Sequence, residues 1–160
     1  MICQEVSGNL FLPMNCNNSI PVILDTNILL DLIIFKDISV EKLQVLFEKN
    51  KIYFLFSCET VNEFKRVINY EKFKFSEIQK NKFIKELNHL IGNTDVFYLN
   101  ISKLPVIVRD PDDHKFIELA YHTKTKYLLT KDHDLLKIKK KLIDYGIQAL
   151  KPEKFYKKIT

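Results

Sequence analysis

Acidic side chains recur in this sequence where the chain leaves an apolar run. Asp25 closes the run Ile20–Leu24, and Glu63 falls in the segment after Ile52–Phe56. Asp110, Asp112 and Asp113 precede a run of apolar residues at helical spacing, while Asp132 and Asp134 follow Tyr127–Leu129. Carboxylates gathered at one place repel one another and destabilise a fold unless something offsets them. A hard divalent cation does so, and oxygen-only donors favour Mg²⁺ or Mn²⁺. One or two such ions supply an activated water and a shield for charge on phosphoryl oxygens, the two requirements of phosphodiester hydrolysis. Asp25, Glu63, Asp113 and Asp132 are therefore candidate metal ligands and catalytic residues.

Taken singly, each aspartate is better explained as a helix cap or turn residue. Glu63 is equally an ordinary surface residue bordering the core. Capping does not explain why all four acids fall on one edge of the sheet. No thiol motif, serine elbow or glycine-rich phosphate loop competes at these strand ends. His114 and His133 adjoin proposed ligands, but the carboxylates suit the site better; His89 and His122 read as surface residues.

The elements that must position these acids follow from the hydrophobic pattern. Ile20–Leu24, Ile52–Phe56, Val96–Leu99, Tyr127–Leu129 and Ile147–Leu150 read as five buried strands. Helical spacing covers Ile28–Ile34, Val40–Lys49, the segment after Ser57, and a long stretch from Ser76 to about Ile91. Ser57 can cap its helix, Ser76-Glu-Ile-Gln79 is a capping box, and Gly92-Asn93 ends the helix that the box opens. Residues 100–111 form a loop, and Asp112 or Asp113 caps the helix carrying Phe116, Ile117 and Ala120. Leu135–Ile143 reads as one basic amphipathic helix ended by Gly146, and Pro152 opens a last short helix. Strands alternating with helices predict a doubly wound, three-layer α/β/α domain with a central, mainly parallel five-stranded sheet. In such a sheet ligands bind beyond the carboxyl ends of the strands, where the acids lie.

The 160 residues suit one domain over 20–160, with residues 1–19, polar and unpatterned, as a flexible tail. Three widely spaced cysteines, Cys3, Cys16 and Cys58, match no zinc motif and read as free thiols. No apolar run approaches the roughly 20 residues of a membrane span, and the first residues do not resemble a secretory signal, so a cytoplasmic location is expected. The net charge of +5 is uneven: residues 1–120 carry 14 Lys+Arg against 16 Asp+Glu (−2), and residues 121–160 carry 11 against 4 (+7). That basic region is either a solvated face or a footprint for a polyanion, with Lys137, Lys139, Lys140 and Lys141 as candidate RNA contacts.

Four segments resemble the PIN-domain family, in particular VapC-like toxin components of bacterial toxin–antitoxin pairs. They are Ile23-Leu-Asp-Thr-Asn-Ile-Leu29, Ser57-Cys-Glu-Thr-Val-Asn-Glu-Phe64, the block Arg109–Ala120 with Asp113, and Tyr127-Leu-Leu-Thr-Lys-Asp-His-Asp-Leu-Leu136. The closing Pro152-Glu-Lys-Phe155 is also family-like. The resemblance implies an Mg²⁺- or Mn²⁺-dependent ribonuclease, often a homodimer, restrained by a cognate antitoxin protein. It assigns the four core acids to Asp25, Glu63, Asp113 and Asp132, with Asn27 and Thr130 holding ligand carboxylates in place. His114 departs from the pattern, standing where a further aspartate is common. Two other functions fit parts of the sequence. One is a non-catalytic module of the same fold that binds RNA or protein. The other is a phosphoacceptor receiver, for which Lys131 suits the required lysine but the acidic pair after the first strand is missing.

Overall fold

The computed structural model describes residues 3–5, 18–92, 96–98 and 110–159. In chain order the elements are β1 (Cys3–Glu5), β2 (Ile20–Leu24), α1 (Thr26–Leu30), a π-helical turn Asp31–Phe35 and α2 (Ile38–Glu48). Next come β3 (Ile52–Phe54), β4 (Phe56–Ser57), α3 (Cys58–Ile68), a 3-10 turn Glu71–Phe73, α4 (Glu77–Ile91) and β5 (Val96–Tyr98). A second 3-10 turn, Pro111–Asp113, leads into α5 (His114–His122), followed by β6 (Tyr127–Leu129), α6 (His133–Lys137), α7 (Lys139–Ile143), β7 (Gln148–Leu150) and α8 (Pro152–Ile159).

The central sheet is parallel, in the order β3-β2-β6-β7. Strand alternation divides the core into two layers. Val22, Leu24, Ile52, Phe54 and Leu129 face one cluster with residues of α1, α2, α3, α4 and α8. Ile23, Tyr53, Leu55, Leu128 and Ala149 face a second cluster with residues of α5, α6 and α7. Period-2 side chains buried on both faces require helices on both faces, so the three-layer α/β/α architecture follows.

The expected five-stranded sheet differs in one respect. The run Ile52–Phe56 divides at Leu55 into β3, which pairs with β2, and β4, which pairs with β5. A second parallel sheet, β1-β5-β4, results. Leu55 still donates its backbone N–H to Val22 O (3.1 Å), so the division falls where one run of chain changes partners. β1 lies within the expected tail, while residues 6–17 and the expected loop up to residue 109 lie outside the described residues.

Local signals act as their chemistry dictates. The N–H of Thr60 donates to Ser57 Oγ (3.2 Å) and the N–H of Ser57 to Thr60 Oγ1 (2.9 Å), closing a capping box at α3. Ser76 and Gln79 do the same at α4. Gly92 ends α4 at φ +56°, in the region that favours glycine. Two expectations are corrected. The basic helix Leu135–Ile143 is broken at Ile138 into α6 and α7. Leu135 and Leu142 are both fully buried two turns apart, so the spacing carries no sign of the break. Cys58 is disulfide-bonded rather than a free thiol. Among the described residues no helix is long and apolar enough to cross a membrane.

Candidate functional site

Asp25 leaves β2 with an extended backbone (φ −68°, ψ 165°) and caps α1, its Oδ1 accepting the N–H of Ile28 at 2.8 Å. Its own N–H donates to Leu129 O of β6 at 3.0 Å, which pins the residue between the two middle strands. Oδ2 accepts the hydroxyl hydrogen of Thr130, which is wholly buried. Thr130 Oγ1 in turn accepts the N–H of Asp132 at 2.9 Å. One hydroxyl thus fixes two of the sequence-proposed acids. The Asp25 side chain is only 3% exposed, and burial pushes its carboxyl up to about 6, against the lowering effect of Thr130 and Ile28. The nearby charge of Asp132 adds to the rise.

Asp113 occupies the first position before α5 but makes no capping hydrogen bond. The cap of the preceding turn is Asp110, whose Oδ1 accepts the N–H of Asp112 at 2.9 Å. This corrects the expectation that Asp112 or Asp113 caps the helix through its side chain, and among the described residues the Asp113 carboxylate makes no hydrogen bond. Its carboxyl is pushed up to about 7, first by burial and then by the negative charges of Asp132, Asp110, Asp25 and Glu63. The three other acids proposed from sequence therefore all act electrostatically on Asp113.

Glu63 lies on α3, one residue before the fully buried Phe64. Burial of such a ring is worth roughly 1.5–3 kcal/mol and anchors this stretch of helix. Glu63 forms an ion pair with Lys115 of α5 in which both side chains are largely buried. Asp132 caps α6, its Oδ1 accepting the N–H groups of Asp134 (2.7 Å) and Leu135 (2.9 Å). Among the described residues its Oδ2 has no recorded hydrogen bond.

Asp25, Glu63 and Asp113 line one cavity of about 340 Å³, which Phe35, Tyr70, Lys72 and Phe73 also line. Asn27 also lines it, but it is exposed and holds no carboxylate through its side chain among the described residues. The Thr130 hydroxyl donates to the Asp25 carboxylate; no side-chain hydrogen bond joins Asn27 to a carboxylate among the described residues. Neither His114 nor His133 lines the cavity. Lys137, Lys139, Lys140 and Lys141 are exposed, and Lys137 pairs with Asp134 at 3.0 Å. Lys131 pairs with Asp31 (2.6 Å) and Asp37 (3.6 Å). Sequence reasoning passed over Lys115 and the aromatic wall. A lysine two residues after Asp113 carries no local mark of a partner on another helix, and the exposure of Phe35 and Tyr70 is visible only in the folded chain.

Among the described residues no group of three or more His, Cys, Asp or Glu side chains is arranged to hold a metal ion. The donor chemistry nevertheless fits a hard cation: the groups at the site are carboxylates, and both the burial and the neighbouring acids that raise Asp25 and Asp113 penalise a negative charge that a cation would offset.

Thr130→Val is expected to cost the metal-free protein about 1–3 kcal/mol, because it leaves Asp25 Oδ2 and the N–H of Asp132 without a buried partner. Thr130→Ser should recover most of the loss. Urea unfolding of the two variants checks this; equal stability of wild type and Thr130→Val would mean that the hydroxyl positions nothing.

A parallel α/β/α domain with acids at the carboxyl ends of its middle strands presents those acids where such sheets bind their ligands. The family model described as PIN domain matches residues 21–134, and the chain belongs to this family. The match spans the segments that supply all four acids and stops before α7, β7 and α8. No curated protein and no solved structure matches the chain.

Proposed function

We propose that this PIN-domain protein is an endoribonuclease that hydrolyses RNA phosphodiesters with Mg²⁺ or Mn²⁺, and that it is the toxin of a toxin–antitoxin pair. Asp25, Asp113 and Asp132 would hold the metal, with Glu63 binding a second ion or orienting water. A cognate antitoxin and a second copy of the chain are the proposed protein partners. The observation that carries the catalytic reading is the convergence on Asp113, whose carboxyl makes no cap and feels four other acids.

When bound, such a cation supplies an activated water and Lewis acidity toward the phosphoryl oxygens. The chain's own groups prepare the site. Asp25 is locked by Ile28 and Thr130, so its carboxylate needs no reorganisation. Asp132 commits Oδ1 to its helix cap, which holds the side chain in one orientation. Lys115 balances Glu63 and keeps one positive charge beside acids that would otherwise repel an incoming phosphate.

A fluorogenic RNA assay tests the reading. Cleavage should vanish in EDTA and return with Mn²⁺ or Mg²⁺ but not with Ca²⁺, whose looser coordination activates water poorly. Full activity in EDTA would sink the metal mechanism. One observation favours the alternative of a non-catalytic RNA- or protein-binding module: Lys115 offsets the charge of Glu63 without a metal, although Glu63 Oε2 has no hydrogen-bond partner among the described residues. Absence of cleavage under every metal condition, with RNA still bound, would support that alternative.

A further inference from the structure

The cavity has two chemically different walls. In the same cavity as the acids, Tyr70 and Phe35 are 38% and 54% exposed, although large aromatic side chains gain from burial. Lys72 lies 5.5 Å from the centre of the Tyr70 ring and 5.0 Å from that of Phe73. Among the described residues no carboxylate is recorded in an ion pair with Lys72, in contrast to Lys115 and Lys131.

This wall is firmly built. Glu63 and Val67 stand one turn apart on α3, and Tyr70, just beyond the end of that helix with an extended backbone (φ −66°, ψ 129°), lines the same cavity. Phe73 packs against Phe35 (6.3 Å between ring centres) and stacks on Phe75 (5.2 Å), which meets Phe83 of α4 edge-on. The rim is thus tied to the core through a ladder of rings, while Tyr70 and Phe35 stay open to solvent.

We propose that Tyr70, Phe35 and Lys72 form a stacking subsite for a base of single-stranded RNA, beside the position of the scissile phosphate. The proposal rests on the nuclease reading of the acid wall. An aromatic face accepts any base, a nearby cation suits the phosphate that joins it to the next nucleotide, and both lie in the same cavity as the carboxylates. A duplex keeps its bases stacked on one another and offers no free face, so the subsite selects unpaired strands.

The chain contains no tryptophan. Tyr70→Trp therefore creates a single reporter whose emission a stacked base quenches. The probes are a single-stranded oligoribonucleotide, an abasic ribose-phosphate strand of equal length and an RNA duplex, each in Ca²⁺ buffer. Quenching is expected with the first and not with the other two. Tyr70→Ala should weaken binding of the single strand about tenfold, within the range for loss of one stacked base, and Tyr70→Phe should restore it. Equal quenching by the abasic strand, or unchanged affinity in Tyr70→Ala with an unaltered melting temperature, overturns the subsite. If no RNA quenches the reporter, the rim belongs to a protein partner and the proposal falls. The two readings separate cleanly: quenching without any cleavage by wild type removes the nuclease and keeps the subsite. Cleavage with an unchanged KM in Tyr70→Ala does the reverse.

Discussion

Asp113→Asn is expected to lower RNA cleavage by roughly a thousandfold, because several kcal/mol of charge stabilisation leave with one ligand and each 1.36 kcal/mol is a factor of ten. The same change should leave the metal-free protein as stable as wild type or more stable. Asp113 makes no capping hydrogen bond that the amide could fail to replace, and its charge faces Asp132, Asp110, Asp25 and Glu63. Removing that charge relieves repulsion at all four. Wild type should gain melting temperature on addition of Mg²⁺, worth about 2.7 kcal/mol at a hundredfold excess over Kd, and Asp113→Asn should lose most of that gain. Thermal melts with and without Mg²⁺, beside the cleavage assay, measure both effects. A fully active Asp113→Asn protein removes the central claim. A variant that is inactive but retains the whole Mg²⁺ response moves the metal away from Asp113 and leaves this residue another catalytic task.

What the sequence made legible was local. Ser57 and Ser76-Glu-Ile-Gln79 announce their helices because a cap is a bond between residues three apart. Asp25 was readable because an acid directly after an apolar strand is conspicuous, and Thr130 because the fourth family segment contains it. The features that were not legible depend on distant partners. Nothing in Ile52-Tyr-Phe-Leu-Phe56 marks Leu55 as the place where the chain exchanges β2 for β5, since every residue there is buried and apolar. Among Asp110, Asp112 and Asp113 the cap cannot be chosen from composition. The 3-10 turn chooses it, placing Asp113 in the right-handed helical region (φ −77°, ψ −16°) and Asp110 in the extended one (φ −97°, ψ 114°).

The same dependence on distant partners explains the site's second wall. Phe35 ends the π-helical turn after α1, and Tyr70 follows α3, 35 positions further along the chain. Neither belongs to a periodic apolar stripe that needs it. The Glu63–Lys115 pair joins helices that neither residue's neighbours identify as touching. Family membership recovers the acids because they lie in recognisable segments within residues 21–134. It carries no information on which lysine or ring this particular chain has set beside them.

The stability of the metal-free protein should fall as pH rises from about 4 to about 7, and Asp25 should account for a large share of the fall. Unfolded, its carboxyl titrates near the ordinary 3.8; folded, burial raises it to about 6. Between those values the native state holds a proton that the unfolded chain has lost, so each step up in pH favours unfolding. Below 3.8 both states are protonated and the carboxyl carries no penalty; above the folded value the penalty is complete, about 3 kcal/mol at 1.36 kcal/mol per unit. Asp113, raised to about 7, acts with the same sign over a wider range. Two groups act with the opposite sign. Asp37 is held below its ordinary value by Ser39, so its contribution is lost only on acidification below 3.8. His122 is lowered by burial, so its contribution is lost as pH falls through its titration. The difference between wild type and Asp25→Asn cancels both. Asn keeps an oxygen for the N–H of Ile28, so the cap survives, and its amide can donate to Thr130 Oγ1 once that hydroxyl turns its own hydrogen away. Urea unfolding in EDTA should find Asp25→Asn more stable by about 3 kcal/mol at pH 7 and above, with the gap closing toward pH 4. Saturating Mg²⁺ should narrow that gap at neutral pH from the wild-type side, because a bound cation offsets the buried charge. A gap that stays constant with pH means that the Asp25 carboxyl titrates alike in both states, and the account of a charge held under strain at the head of α1 is wrong.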